Sequence, residues 1–282
     1  MIAPLPDFLI EEAVARALKE DLGDAGDITT NAVVPANRQA RAVIASRKPG
    51  VIAGAEIARA AFRLVDPTLS VRVEKGDGAR IAAGETSISI EGRARSILTA
   101  ERVALNFMGH LSGVATATAG LVEAAQGTTA KIVCTRKTTP GLRAFEKHAV
   151  RCGGGFNHRF GLYDAAMIKD NHIAAAGGVA PALKAARAAF GHMVKVEIEV
   201  DSLAQLEEAL REGADVVLLD NMPPDDLKRA AAITNGRAVL EASGNVTVST
   251  VRAIAETGVD CISSGWITHS APSLDLGLDF LK

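Results

Sequence analysis

The chain has 282 residues, of which 48% are hydrophobic, and its 31 Lys and Arg residues nearly balance its 33 Asp and Glu residues. A formal net charge of −2 gives no case for nucleic-acid binding, which needs a broad basic surface, and no apolar run is long enough to cross a membrane. Three widely spaced cysteines match neither a disulfide framework nor a zinc site, and they favour a cytoplasmic location.

The N-terminal part of the chain predicts a small α+β domain over residues 1–112. Residues 6–21 carry apolar side chains at helical spacing and predict a surface helix, followed by a turn-rich loop. Residues 40–54 read as strand, turn and strand, and residues 70–92 alternate apolar and polar positions around Gly-Asp turns. We expect the C-terminal segment 271–282 to join this domain.

A long helical pattern over residues 96–126 marks the expected domain junction. Gly109 and Gly113 interrupt it, and glycine is unfavourable inside a helix. We therefore expect two helices here, with the second domain covering residues 113–270.

From residue 131 onward, short apolar runs alternate with amphipathic helical stretches, which indicates βα units and a parallel sheet. The predicted strands are residues 131–134, 165–168, 194–200, 215–219, 238–240 and 260–262. Polar residues follow each run, and active sites of βα barrels lie at that end of the strands. The fold class is therefore α/β, with an irregular, incomplete βα barrel and a smaller N-terminal α+β domain. An open doubly wound sheet is the alternative.

Charge is unevenly distributed along this second part of the chain. Residues 131–172 hold eight Lys or Arg against three Asp or Glu, whereas residues 196–226 hold ten acids against one Arg. Cations suit anionic substrate groups, and carboxylates suit Mg²⁺ or ribose hydroxyls. Together they indicate a phosphorylated or pyrophosphorylated substrate.

Several segments between residues 20 and 270 carry a resemblance to the quinolinate phosphoribosyltransferases. They read EDLGDAGDITT, ERVALNFMGHLSGVAT, TRKTTPGLR, EKHAVRCGGGFNHRFGLYDAAMIKDNH, VEIEV, LLDNM, EASGNV and ISSGWITHS. The resemblance implies an enzyme that joins quinolinate to phosphoribosyl pyrophosphate and releases nicotinate mononucleotide, CO₂ and pyrophosphate. It also implies an N-terminal α/β domain, an irregular barrel, and a homodimer or larger homo-oligomer.

The same resemblance implies where quinolinate binds. Arg136, His158, Arg159 and Lys169 would form the pocket for its two carboxylates, since buried anions need directed cationic donors. Arg102 matches an arginine that a neighbouring subunit contributes, so the active site would be shared between subunits.

Four residues match the catalytic positions of the family. Lys137 and Lys169 would face substrate and pyrophosphate charge, and Glu199 and Asp220 would hold Mg²⁺ with its pyrophosphate and the ribose hydroxyls. Glu197 lies on the same strand face as Glu199, which leaves a structural role open for it. An alternative for Asp220 is the cap of the following helix.

Two loops and one histidine match the region that binds the 5′-phosphate. They are Ser243-Gly244-Asn245, Ser264-Gly265 and His269. Asn245 replaces the usual glycine, and asparagine tolerates left-handed backbone better than most residues. Trp266 stands where smaller residues are commoner.

The resemblance implies a mechanism without a covalent enzyme intermediate, in which phosphoribosyl transfer precedes decarboxylation. Three other functions stay open. They are a paralogue associated with molybdenum transport, a nicotinate phosphoribosyltransferase, and a non-catalytic sensor of a phosphorylated ligand. The combined cations argue against the first and favour a diacid over nicotinate, and a sensor has no need of Glu199 and Asp220.

Overall fold

The computed structural model describes residues 2–281 and divides them between two units. The first unit comprises residues 2–119, 144–154 and 271–281, and the second comprises residues 120–143 and 155–270.

The elements follow one another as mixed α and β structure and then as βα repeats. The first part contains α1 (Asp7–Leu22), α2 (Ile28–Val33), β1 (Gln39–Ser46), β2 (Gly50–Val51), α3 (Ala55–Val65), β3 (Ser70–Val73), β4 (Arg80–Ile81), β5 (Thr86–Arg93) and α4 (Ala94–Ala124). The rest contains β6 (Lys131–Val133), α5 (Arg143–Cys152), β7 (Ala166–Ile168), α6 (Asp170–Ala176), α7 (Val179–Ala189), β8 (Val196–Val200), α8 (Leu203–Arg211), β9 (Val216–Asp220), α9 (Pro224–Thr234), β10 (Val239–Ser243), α10 (Val251–Ala255), β11 (Cys261–Ser263), α11 (Trp266–His269) and β12 (Leu276–Phe280).

An antiparallel sheet of order β12-β1-β5-β3 organises the first unit. Ile44 in β1 is fully buried, pairing with Ile88 of β5 on one side and with Leu278 of β12 on the other. The C-terminal strand therefore belongs to the same sheet as the N-terminal strands. The alternation of apolar and polar residues correctly predicted β-structure here.

The turn-rich loop predicted after α1 contains a short helix, α2. Asp27 caps it, because its carboxylate accepts the backbone N–H of Thr30 at 2.8 Å. The Thr99 hydroxyl donates to the second oxygen of Asp27 at 3.1 Å. Tertiary contact thus supports a helix that is too short to be predicted from its hydrophobic periodicity.

Helix α4 is continuous over 31 residues, so the prediction of two helices is wrong. A Cβ on Gly113 would lie 2.2 Å from the Pro272 carbonyl oxygen, and the Gly109 carbonyl accepts the backbone N–H of Leu274 at 2.9 Å. These glycines therefore let the C-terminal segment pack closely against α4, and they do not interrupt the helix.

Even with α4 included, no helix within residues 2–281 is both long and apolar enough to span a membrane.

The second unit contains a six-stranded parallel sheet of order β7-β8-β9-β10-β11-β6. All six predicted strands are present. The first strand of the set, β6, pairs with the last, β11, as in a barrel, but β6 and β7 are not neighbours in the described sheet. The barrel is therefore incomplete, as the count of strands predicted.

Side chains alternate across this sheet, which brings the polar residues together. Ile198 is fully buried on β8, between Glu197 and Glu199, which share the opposite face. In the same way Glu241 and Ser243 share one face of β10. The carboxyl ends of these strands therefore carry a row of polar side chains.

Candidate active site

A cavity of about 1110 Å³ lies at the carboxyl edge of the parallel sheet, lined by residues from all six strands or the loops that follow them. Small-molecule sites are commonly about 300–1,000 Å³, so this cavity has room for two small substrates. Of the predicted site residues, it is lined by Arg136, Lys137, His158, Arg159, Lys169, Glu199, Asp220, Ser243, Gly244, Asn245, Ser264, Gly265 and His269. Arg102 is not among its lining residues and lies exposed on α4 in the first unit.

Two arginines in the cavity have buried donors without a protein acceptor. The Nε atoms of Arg136 and Arg159 are both buried, and neither has a hydrogen-bond partner among the described residues. Arg159 is held in place by one donor, Nη1, which bonds the Ala165 carbonyl at 2.9 Å. Burial lowers the pKa of Arg159, and the positive charge of Arg136 lowers it further. Two like charges are thus held together where an anionic ligand would satisfy both.

Two lysines extend the positive charge around the cavity. The Lys169 ammonium donates to the Glu199 carboxylate, while the Lys169 backbone N–H donates to Nδ1 of His172 at 2.9 Å. Lys137 is fixed by its backbone, since the Thr268 hydroxyl donates to its carbonyl at 2.6 Å. Its side chain lines the cavity.

Glu199 and Asp220 supply carboxylate oxygens to the cavity. The Asn221 amide donates to Oδ2 of Asp220 at 2.9 Å. Helix α9 is capped at Pro223, so the alternative in which Asp220 caps this helix is wrong. Two carboxylates with adjacent polar groups are the oxygen ligands that Mg²⁺ prefers, and the residues present fit that ion.

The loop after β10 has a backbone that its residues are suited to adopt. Gly244 has φ 104°, and a Cβ there would lie 2.1 Å from Oδ1 of Asn221. Asn245 follows with φ 47°, a left-handed conformation that asparagine accepts. The replacement of the usual glycine is therefore compatible with this loop. Asn221 also has a positive φ, 53°, and its role was not predicted.

The loop after β11 approaches the cavity through Gly265. A Cβ on Gly265 would lie 2.8 Å from Cδ of Lys137, so glycine allows the two segments to approach. The backbone N–H of Ser264 donates to the Val133 carbonyl at 3.0 Å, which leaves its hydroxyl as the group available to a ligand. Trp266 lines the cavity and is 40% exposed.

Deeper in the barrel lies a group that we call the inner acid cluster, formed by the half-buried His158 and the buried Glu197 and Glu241. Nε2 of His158 is 2.9 Å from Oε2 of Glu197 and 3.8 Å from Oε1 of Glu241. Oε1 of each glutamate is buried and lacks a hydrogen-bond partner among the described residues. Burial, followed by the negative charge of Glu197, raises the pKa of Glu241 to about 7.

The sequence left a structural role open for Glu197 and predicted no role for Glu241. A signal for Glu241 exists, because an acid in the middle of the apolar run VLEAS must point into the barrel or be neutralised. Its proximity to Glu197 depends on the curvature of the sheet, since β9 separates their strands.

Two family models match consecutive parts of the chain. Residues 27–112 match the model described as quinolinate phosphoribosyl transferase, N-terminal domain. Residues 114–279 match the model of its C-terminal domain.

Curated relatives and solved structures agree with these matches. The chain is 46% identical over 278 residues to nicotinate-nucleotide pyrophosphorylase (carboxylating) from Mycobacterium leprae, covering 95% of this chain and 96% of the relative. It is 45% identical over 260 residues to the probable enzyme of the same name from Bacillus subtilis, covering 92% and 89%. The crystal structure of NadC from Streptococcus pyogenes superposes with a TM-score of 0.94 at 44% identity, covering 99% of this chain and 100% of that one.

Proposed function

This chain belongs to the quinolinate phosphoribosyltransferase family, and we propose that its cavity binds quinolinate and phosphoribosyl pyrophosphate side by side. The function is phosphoribosyl transfer to quinolinate with decarboxylation, which yields nicotinate mononucleotide, CO₂ and pyrophosphate in NAD biosynthesis. The observation that carries the assignment of the cavity is the pair of buried, unpartnered arginine donors of Arg136 and Arg159.

Quinolinate fits the cationic side of the cavity. Its two adjacent carboxylates would accept from Nε of Arg136 and Nε of Arg159, which relieves both the unmet donors and the repulsion between the guanidinium groups. A monocarboxylate such as nicotinate would leave one of these donors unmet, at a cost of about 1–3 kcal/mol. The arginine pair therefore favours the diacid.

The phosphoribosyl group occupies the remaining side of the cavity. Gly244 and Asn245 have left-handed backbone, which turns successive N–H groups toward one side and suits a phosphate. The Ser264 hydroxyl, Gly265 and His269 face the same cavity. We assign the 5′-phosphate to these two loops.

Mg²⁺ is the proposed metal, held by Glu199 and Asp220. When bound, it would neutralise charge on the pyrophosphate leaving group. The ammonium groups of Lys137 and Lys169 support the same departure. The ion pair of Lys169 with Glu199 would rearrange or be shared as the charged ligand enters.

Transfer precedes decarboxylation in this reaction. Pyrophosphate leaves the ribose carbon as the ring nitrogen of quinolinate bonds to it, so that nitrogen acquires a positive charge. This charge then stabilises the electron pair that remains on the adjacent carbon when CO₂ departs. The protein contributes positioning and electrostatic stabilisation.

We propose that the enzyme is a homodimer or larger homo-oligomer in which Arg102 of one subunit completes the cavity of another. Its guanidinium is exposed on α4, and the cavity of the same chain is lined without it. Mixing Arg102→Ala with Lys169→Ala under conditions of subunit exchange should restore part of the activity, because hybrid dimers then contain one intact site. No recovery with demonstrated exchange would contradict a shared site.

We also propose a cytoplasmic location, with no nucleic-acid partner. Cys134, Cys152 and Cys261 form no disulfide within the described residues, which supports a reducing compartment. The near-balanced charge supports the absence of a nucleic-acid partner.

One assay separates the candidate functions. The purified protein is incubated with phosphoribosyl pyrophosphate, Mg²⁺ and either quinolinate or nicotinate, and nicotinate mononucleotide and CO₂ are followed together. We expect product and CO₂ from quinolinate alone. Product from nicotinate alone would assign the nicotinate enzyme, and no product from either would favour the molybdenum-associated paralogue or a sensor.

A further inference from the structure

The proposed reaction needs a proton that neither substrate delivers to the reacting carbon. When CO₂ leaves, the carbon beside the ring nitrogen keeps the electron pair of the broken bond. Nicotinate mononucleotide carries hydrogen at that carbon. A proton donor must therefore reach it before the carbanion recombines with CO₂.

The inner acid cluster lies next to the side of the cavity where quinolinate is proposed to bind. His158 is adjacent in sequence to Arg159, and Nε2 of His158 is 3.8 Å from Oε1 of Glu241. Glu241 itself lines the cavity although only 5% of it is exposed. It precedes Ser243 by two positions on the same face of β10, so it lies deeper in the barrel than the proposed phosphate loop.

Hydrogen bonding distinguishes the two glutamates. The backbone N–H of Arg159 donates to Nδ1 of His158 at 2.8 Å, so the neutral imidazole carries its proton on Nε2. That proton is directed at Oε2 of Glu197, 2.9 Å away, so Glu197 is the glutamate that accepts it. Oε1 of Glu241 is left buried and without a partner.

Burial and a neighbouring negative charge both make a carboxyl group hold its proton. Glu197 lies on β8, two strands from Glu241 on β10, and their carboxylate oxygens lie within 4.8 Å of each other and of a nitrogen of His158. On the other side, Cys261 is the pairing partner of Glu241 on β11, and burial raises the pKa of this thiol. The burial of Glu241 and the negative charge of Glu197 outweigh the opposing effects of His158 and Ser263, so the neutral form of Glu241 is favoured.

We propose that Glu241 is the general acid that protonates the carbon vacated by CO₂, an assignment that rests on the proposed function. The bond from the ring carbon to the carboxylate breaks, and CO₂ departs. The electron pair left on carbon takes the proton from Glu241, forming the new C–H bond and leaving a Glu241 carboxylate. Solvent returns a proton to Glu241 before the next turnover.

Rapid-quench measurement of a single turnover tests this role in Glu241→Gln, which keeps the shape but has no acidic proton. Pyrophosphate and CO₂ are measured separately, with quinolinate, phosphoribosyl pyrophosphate and Mg²⁺. We expect pyrophosphate release to stay within a few-fold of the parent enzyme. CO₂ release should slow by about 100-fold or more, as for loss of a general acid, so that the undecarboxylated mononucleotide accumulates.

Two variants serve as controls. Glu241→Asp retains an acidic proton and should recover part of the CO₂ release. Cys261→Ala alters the packing beside Glu241 without removing an acid. In this variant the rates of pyrophosphate release and CO₂ release should remain equal. The proposal is wrong if Glu241→Gln slows pyrophosphate and CO₂ equally, or if it slows neither.

The parent enzyme offers a second test that does not depend on a folded variant. As pH rises above about 7, the donor loses its proton, so CO₂ release should decline relative to pyrophosphate release. A constant ratio of the two rates across this range would overturn the assignment. If the parent enzyme makes neither product from quinolinate, the proposed function fails instead, which is a different result from any of these.

Discussion

Buried charges in the first unit are matched by protein partners, whereas those around the cavity of the second unit are not. Asp66 is 1% exposed, and its carboxylate accepts from Nε of Arg93 at 2.8 Å and from hydroxyls nearby. His148 is also buried, and its Nε2 lies 2.7 Å from Oδ2 of Asp77. These groups need nothing from outside the chain.

The second unit leaves comparable groups unmet. Nε of Arg136, Nε of Arg159, and Oε1 of both Glu197 and Glu241 are buried without partners among residues 2–281. Each unmet group of this kind costs about 1–3 kcal/mol, and more when it is charged. No buried side-chain atom without a partner was found in the described part of the first unit.

This difference between the two units indicates where ligands bind. Unmet buried donors and acceptors are rare in folded chains, and a bound ligand or a catalytic role is among the explanations for them. The arginines have the first role in this account, and Glu241 has the second. Substitutions in the two units should therefore act on different quantities.

The largest effect is expected from Arg136→Ala or Arg159→Ala. Loss of a buried cation that binds a carboxylate costs about 3 kcal/mol or more, so kcat/KM for quinolinate should fall by roughly 100-fold or more. The melting temperature of Arg136→Ala should stay equal or rise, because one of two repelling charges is removed, whereas Arg159→Ala also loses the hydrogen bond to the Ala165 carbonyl. Steady-state kinetics and thermal denaturation measure the two quantities.

Arg143→Ala is the matched control for these variants. Its guanidinium is already satisfied, since Nη1 donates to the Phe160 carbonyl at 2.9 Å and Nε to the Thr138 hydroxyl at 3.0 Å. This variant should be less stable than the parent enzyme, while its KM for quinolinate should change little. A larger loss of kcat/KM here than in Arg136→Ala would undermine the comparison.

Asp220→Asn should have the next largest effect on activity, and this effect should be specific to one substrate. Neutralising a proposed metal ligand should lower kcat/KM for phosphoribosyl pyrophosphate by about 100-fold, which corresponds to about 2.7 kcal/mol. The Mg²⁺ concentration for half-maximal activity should increase, while quinolinate binding measured by calorimetry changes little. An unchanged Mg²⁺ requirement would remove Asp220 from the metal site.

Asp66→Asn should reduce the free energy of unfolding by about 2 kcal/mol, because it weakens several buried hydrogen bonds at once. Activity per folded molecule should not change. Hydrogen bonds from Thr68 above all hold the pKa of Asp66 below its ordinary value, so at acid pH the unfolded chain binds the extra proton. Stability of the parent should fall as pH drops below about 4, and this fall should be shallower in Asp66→Asn.

Gly244→Ala should have the smallest effect, and Gly84→Ala is its control. Both positions have positive φ, which costs alanine about 1 kcal/mol, but only Gly244 also faces Asn221. Gly84→Ala should lose about this much stability, and Gly244→Ala should lose more because Asn221 must shift, with a several-fold larger KM for phosphoribosyl pyrophosphate only in Gly244→Ala. An equal KM for phosphoribosyl pyrophosphate in the two variants would show that this loop does not bind the phosphate.

Much of the second unit could be predicted from sequence, because its signals are local. Continuous apolar runs mark the six strands, and the residue that follows each run must lie at the carboxyl edge whatever the strand order. The thirteen predicted residues that line the cavity follow from this rule and from the resemblance.

The rest depends on contacts between distant segments. The continuity of α4 follows from the close approach of Pro272 to Gly113, which no helical pattern reveals. Residues 144–154 of the second half belong to the first unit. Likewise, the proximity of Glu197 and Glu241 follows from the curvature of the sheet across β9.

A structure of the complex with quinolinate would test the central claim most directly. We predict that Nε of Arg136 and Nε of Arg159 each lie within hydrogen-bonding distance, about 2.7–3.2 Å, of a quinolinate carboxylate oxygen. Quinolinate bound elsewhere in the cavity, with both Nε atoms still unpartnered, would contradict the conclusion that unmet buried charges mark the substrate site.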